Sequence, residues 1–118
     1  MKIIKKAAFI KAMGNPPKQI EEFIGLANSG TKEASIARMK SPAGWSEPGQ
    51  KPEFDEYSVV LSGELRVKTK DKSVNLKAGQ AVIMAGGKWV QYSTPKGAEY
   101  ISVCIPAFSP KRVNRDEA

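Results

Sequence analysis

With 118 residues, 41% of them hydrophobic and 26% charged, the chain has enough apolar material for one core and too much for wholesale disorder. The 19 Lys and Arg outnumber the 12 Asp and Glu for a net charge of +7, but the basic residues are scattered and no aromatics interleave with them. That distribution argues against nucleic acid as a partner. The chain contains no histidine and a single cysteine, Cys104, which excludes Ser/His/Asp and Cys/His catalysis, His-containing zinc sites and an intrachain disulfide.

In chain order, Ile3, Ile4, Ala7, Ala8 and Phe9 predict a short N-terminal strand within residues 2–9. No apolar run near the start is long enough for a leader, and none anywhere approaches the roughly 18 residues of a membrane span. With the lone cysteine, this leads us to expect a cytoplasmic protein with no membrane partner. Asn15 and Pro16 read as the cap and first residue of a helix, because proline at that position gives up only an unpaired N–H. Ile20, Phe23, Ile24 and Ala27 then follow a helical stripe that Gly30 would end.

From Lys32 onward the pattern is β. The predicted strands cover 33–39, 56–61, 64–69, 73–76, 81–84, 89–92 and 99–105, separated by turn-forming pairs such as Ser62-Gly63 and Gly86-Gly87. Many short strands of this kind predict a sandwich or closed barrel, because closure removes exposed edges. The expected organisation is an N-terminal strand and helix over 1–32, a barrel over 33–108 and a polar tail over 109–118. That tail is expected to fray or to form a short arm against a partner subunit.

The barrel region resembles the cupin superfamily, type 2 and RmlC-like. Glu56 and Gly63 stand where the first motif has its glutamate and closing glycine, and Gly79 and Gly87 match glycines of the second. The resemblance implies an all-β, double-stranded β-helix jelly roll, here with one short N-terminal helix, and a homodimer. Within the superfamily the chain is most similar to His-less members of the EutQ-like group. Shared features are Phe54-Asp55-Glu56, Val60-Leu61-Ser62-Gly63-Glu64-Leu65, Thr94-Pro95, Tyr100 and Pro106. That group is associated with acetate phosphorylation, for which the chain offers no P-loop. Where metal-bound cupins have their histidines, this sequence has Gln50 and Pro52, or Gly49 and Lys51, and then Val90. Neither proline nor valine can donate a lone pair, so no His-type metal site and no cofactor are expected. Glu53, Asp55 and Glu56 could form a carboxylate-only site for Ca²⁺ or Mg²⁺, which is the alternative.

Alternation places Glu56, Ser58 and Val60 on one face and Tyr57, Val59 and Leu61 on the other. The cupin alignment turns the first set inward, with Val90 and Tyr92 nearby. Glu56 and Tyr92 are the catalytic candidates, because a carboxyl desolvated beside a phenol is suited to acid/base work. The plain structural reading of both is a satisfied polar pair. Gln50, Trp45, Glu53, Asp55 and Ser58 are the candidate ligand contacts, although Trp45 reads more readily as core or interface and Glu53 and Asp55 as solvated loop charges. Cys104 reads as a buried inert thiol.

Three functions follow. The first is a metal-independent cupin binding a small polar metabolite, sugar-like or carboxylate. The second is an isomerase, epimerase or lyase using Glu56 and Tyr92, and the third is a structural or regulatory partner protein.

Overall fold

A single long strand, Asp55–Lys68, runs through both halves of the molecule. It is β5 of nine strands among residues 1–116, which the computed structural model describes. The others are β1 (Ala8–Lys11), β2 (Gln19–Ile24), β3 (Ser35–Ser41), β4 (Trp45–Ser46), β6 (Ser73–Lys77), β7 (Ala81–Met84), β8 (Gln91–Thr94) and β9 (Ala98–Ile105). A short helix, α1 (Pro110–Val113), follows. All pairings are antiparallel. One sheet has the order β1-β2-β3-β9-β5-β7 and the other β6-β5-β8-β4, so β5 lends its first half to one and its second half to the other. This is the expected two-sheet barrel, curled about a shared strand.

Two strands with a turn at Ser62-Gly63 were expected, and β5 is instead continuous. Its register against β9 slips between Val60 and Ser62, and Gly63 takes φ 76°. A side chain there would strike the Gly97 carbonyl as well as strain the backbone. The glycine thus bends the strand from one sheet into the other without ending it. The predicted alternation holds before the bend, where Ser58 and Val60 are buried and Tyr57, Val59 and Leu61 are exposed, and beyond it Leu65 and Val67 are buried.

The predicted N-terminal helix is absent, and its residues form β2, paired with β1 and β3. The Asn15 backbone is bonded to Ser46 in both directions, at 2.9 and 3.1 Å, so it serves a sheet-like bridge and not a cap. The apolar spacing that suggested a helix arises from a bulge between Glu22 and Ile24, which moves the later side chains out of strict alternation. Ile20 and Glu22 point into the barrel. The buried Glu22 carboxylate accepts the Ala27 N–H at 2.9 Å, and a Cβ on Gly25 would lie 2.6 Å from it. Tertiary pairing overrides the local pattern here. The one helix lies at the other end of the chain.

Trp45, Leu65, Val67, Val90, Tyr92 and Tyr100 fill one end of the barrel. A smaller cluster of Phe54, Cys104 and Val113, with Phe108 against it, seats α1 on the other. The tail therefore does not fray through Asp116; Glu117 and Ala118, the last of the expected tail, lie outside the described residues.

Candidate functional site

Between the two apolar clusters lies a cavity of about 60 Å³. Its lining is apolar on one side, from Ile20, Met39 and Phe54, and strongly polar on the other, where Lys18, Glu47, Gln50, Glu56, Ser102 and Arg115 converge. Glu56 and Ser102 are set there by the inward phase of β5 and β9. Gln50 is fixed by reciprocal backbone bonds with Val90 at 2.9 and 2.8 Å, and its side chain is 4% exposed.

Lys11, Lys18, Glu22, Glu47, Glu56 and Arg115 share this space, yet among the described residues none of them forms an ion pair within 4.0 Å. Burial raises the Glu56 carboxyl to about 7, and the neighbouring Glu47 carboxylate adds to the effect. Lys18 and the hydroxyls of Ser102 and Tyr92 pull the other way and do not win. Glu47 is also raised, by burial, against the attraction of Lys18 and Arg115. For Lys18, burial is the largest single influence and lowers its pKa, but Tyr100, Glu47 and Glu56 together outweigh it and the net shift is upward. Its ammonium donates to the Tyr100 hydroxyl at 3.1 Å and lies 3.9 Å from the Trp45 ring centre. A lysine held this way over an aromatic face stays charged. Burial, reinforced by Glu56 and Glu47, drives Tyr92 well above the usual phenol range, so its hydroxyl can donate a hydrogen bond but does not act as a base near neutrality.

Among the described residues, three buried polar atoms have no hydrogen-bond partner: Gln50 Oε1, Arg115 Nε and the Tyr92 hydroxyl, which lies near the Glu56 carboxyl without reaching bonding geometry. Leaving such an atom unpaired costs about 1–3 kcal/mol. Two of the three residues line the cavity and the third lies beside Glu56.

Of the residues anticipated from sequence, Glu56 and Gln50 line the cavity and Tyr92 neighbours Glu56. Trp45 is fully buried, donates its indole N–H to the Met13 carbonyl at 3.3 Å and serves as the platform for Lys18. Ser58 is a step removed, its hydroxyl 3.1 Å from that of Ser102. Glu53 and Asp55 turn to structural partners: Glu53 accepts from the Asn114 amide at 2.8 Å and Asp55 from the Gly86 N–H at 2.8 Å. Cys104 is buried, and desolvation holds its thiol far above the normal range.

Lys18, Glu47, Ser102 and Arg115 were not anticipated. Lys18 was hidden by the helix reading and Arg115 by the tail reading. Glu47 had a usable signal, since it continues the inward phase of Trp45 by one alternation.

Gln50 and Val90, at the positions of two cupin histidines, are cross-strand neighbours. One is an amide and the other an isopropyl group, and among the described residues no three Asp, Glu or Cys side chains cluster as ligands. The set does not fit an imidazole-type metal centre.

A sequence model of the family described as ethanolamine utilisation protein EutQ matches residues 14–109. The chain belongs to that family. It is 48% identical over 96 residues to a Myxococcus xanthus protein named endoribonuclease YbeY, a match spanning 80% of this chain and 33% of that one. It is 32% identical over 54 residues to acetate kinase EutQ of Salmonella typhimurium, covering 46% of this chain and 24% of that one. The EutQ-family chain thus spans a third or less of the curated relatives it matches. In three dimensions it is similar to an RmlC-like cupin from Shewanella frigidimarina, with TM-score 0.72, 16% identity and coverage of 91% and 90% of the two chains. The cupin-type fold expected from the sequence is therefore the fold of this protein.

Proposed function

We propose that this EutQ-family barrel binds a small polar metabolite, sugar-like or carboxylate, in its cavity and without a metal. The observation that carries the reading is the set of three unpartnered buried polar atoms around a cavity that also gathers Lys18, Glu47, Glu56 and Arg115. Buried polar groups of this kind are normally satisfied, and an occupant able to donate and accept would satisfy them. One water needs roughly 10–15 Å³ of such space, so an occupant of a handful of non-hydrogen atoms fits as the cavity stands and a sugar-sized one requires side chains to move. The acetate of the Salmonella relative's name belongs to the smaller class, but its phosphoryl transfer finds no phosphate-cradling loop here. Native mass measurement of untagged protein tests the reading: a stoichiometric, heat-releasable small molecule is expected, and a mass equal to the bare chain after gentle purification counts against it.

A second reading rests on the Glu56 carboxyl, raised to about 7 and thus able to give and take a proton near neutrality. It makes the protein an isomerase, epimerase or lyase with Glu56 as acid/base and Tyr92 as a hydrogen-bond donor. Turnover that survives Glu56→Gln unchanged would refute that assignment.

The outer face of the first sheet supports a homodimer. It carries exposed Tyr57, Val59 and Leu61 on β5, with Ile83 directly across from Tyr57 and Ile105 on β9. Contiguous exposed apolar surface of this kind marks contact sites. Among the described residues no helix is long and apolar enough to cross a membrane. The cytoplasmic setting rests on the buried, unpaired Cys104.

A further inference from the structure

The segment after α1 returns along residues 49–53 as a strap. The Lys51 N–H donates to the Asn114 carbonyl at 3.1 Å, and the Asp116 N–H donates to the Gly49 carbonyl at 2.8 Å. The Trp89 indole N–H holds the Asp116 carboxylate at 2.9 Å. The two backbone bonds bracket the antiparallel pair Gln50 and Arg115. A pair flanked in this way is the non-hydrogen-bonded type, whose side chains stand closest together. Both line the cavity. Gln50 Oε1 is an acceptor and Arg115 Nε a donor; they belong to adjacent residues, both are buried, and both are unpaired.

We propose that Arg115 and Gln50 form a paired recognition element for a small 2-hydroxycarboxylate, Arg115 taking the carboxylate and Gln50 the adjacent hydroxyl. This rests on the metabolite-binding reading above and narrows it. An anionic oxygen is the natural acceptor for a guanidinium N–H. A hydroxyl on the neighbouring carbon is the shortest group that supplies a donor to the amide oxygen beside it. Among the residues lining the cavity, Lys11, Lys18 and Arg115 stand against Glu22, Glu47 and a Glu56 whose ionisation burial suppresses, which leaves room for one negative charge. The cavity volume admits two to four carbons' worth of ligand, on the order of several waters.

Calorimetric titration with glycolate, acetate, ethylene glycol and glycine tests the assignment on the wild type, Arg115→Met and Gln50→Leu. Glycolate should bind at least about tenfold more tightly than the other three, because a site built for a hydroxyl rejects analogues that lack it. Arg115→Met should lose glycolate and acetate binding alike, whereas Gln50→Leu should lose only the preference for glycolate over acetate. Melting curves without ligand show whether each variant folds. If Arg115→Met does not, Arg115→Lys keeps the charge and stem but loses the fork, and should weaken glycolate by a similar factor.

Equal binding of acetate and glycolate, tighter binding of glycine, or glycolate binding unmoved by the Arg115 variants would each overturn the proposal, as would no glycolate binding at all. The broader reading falls only if sugar acids, polyols and simple carboxylates are all silent as well.

Discussion

Glu56 makes the molecule's stability depend on pH in a direction that can be worked out. Its carboxyl titrates at about 7 in the folded protein, against 4.5 for an unperturbed glutamate. Between those values the folded state holds more protons than the unfolded chain, so stability falls as pH rises through that window and levels off above it. Glu47 and Glu22 are shifted in the same direction by burial. Glu56→Gln should therefore be more stable than wild type by on the order of 3 kcal/mol at pH 8, with the difference shrinking toward zero near pH 4.5. Urea denaturation of both proteins across that range checks this; parallel stability curves would contradict the burial of the charge. The inward phase of Glu56, Ser58 and Tyr92 was legible because strand alternation is a local property. Their partners Lys18 and Arg115 come from segments whose positions depend on long-range pairing, which residue spacing does not encode.

Among the elements, β2 and the C-terminal strap separate what the sequence could say from what it could not. Most strands after Lys32 were readable from turn chemistry and alternation, within about two residues at their ends, but the two-residue β4 was missed and β5 was split in two at its glycine bend. The β2 segment misled because a bulge converts an alternating pattern into one that mimics a helical stripe. The strap carried no signal, since a few polar residues with one buried Val113 resemble any tail. The seat of α1, from which the strap departs, can be tested through the thiol it covers, for Val113, Phe54 and Cys104 pack together. Val113→Asp should release α1 with the strap and raise the rate of Cys104 modification by a thiol reagent at least about tenfold, through local and not global opening. An unchanged rate at native temperature would mean that α1 does not shield this end of the barrel.

As a whole, the molecule combines a closed, partly polar interior with an outer sheet face on which Tyr57, Val59, Leu61, Ile83 and Ile105 meet solvent. A homodimer through that face predicts that Val59→Lys, which places a charge at its centre, yields a monomer in sedimentation analysis while leaving the fold and the cavity intact. A wild-type monomer at high concentration would remove the dimer from the account. The interior is the more consequential half. It pairs Gln50 with Val90 across strands, groups that hold no imidazole-type metal, and surrounds the space with charges and unpaired donors and acceptors. The decisive measurement is the melting temperature of chelator-treated protein against a panel of small carboxylates, sugar acids and polyols. At least one compound should raise it by several degrees, on the scale of about 1–2 kcal/mol of linked binding, and Arg115→Met should abolish or greatly reduce the rise. A panel without effect, or an effect that appears only when iron, manganese or zinc is restored, would contradict metal-free binding.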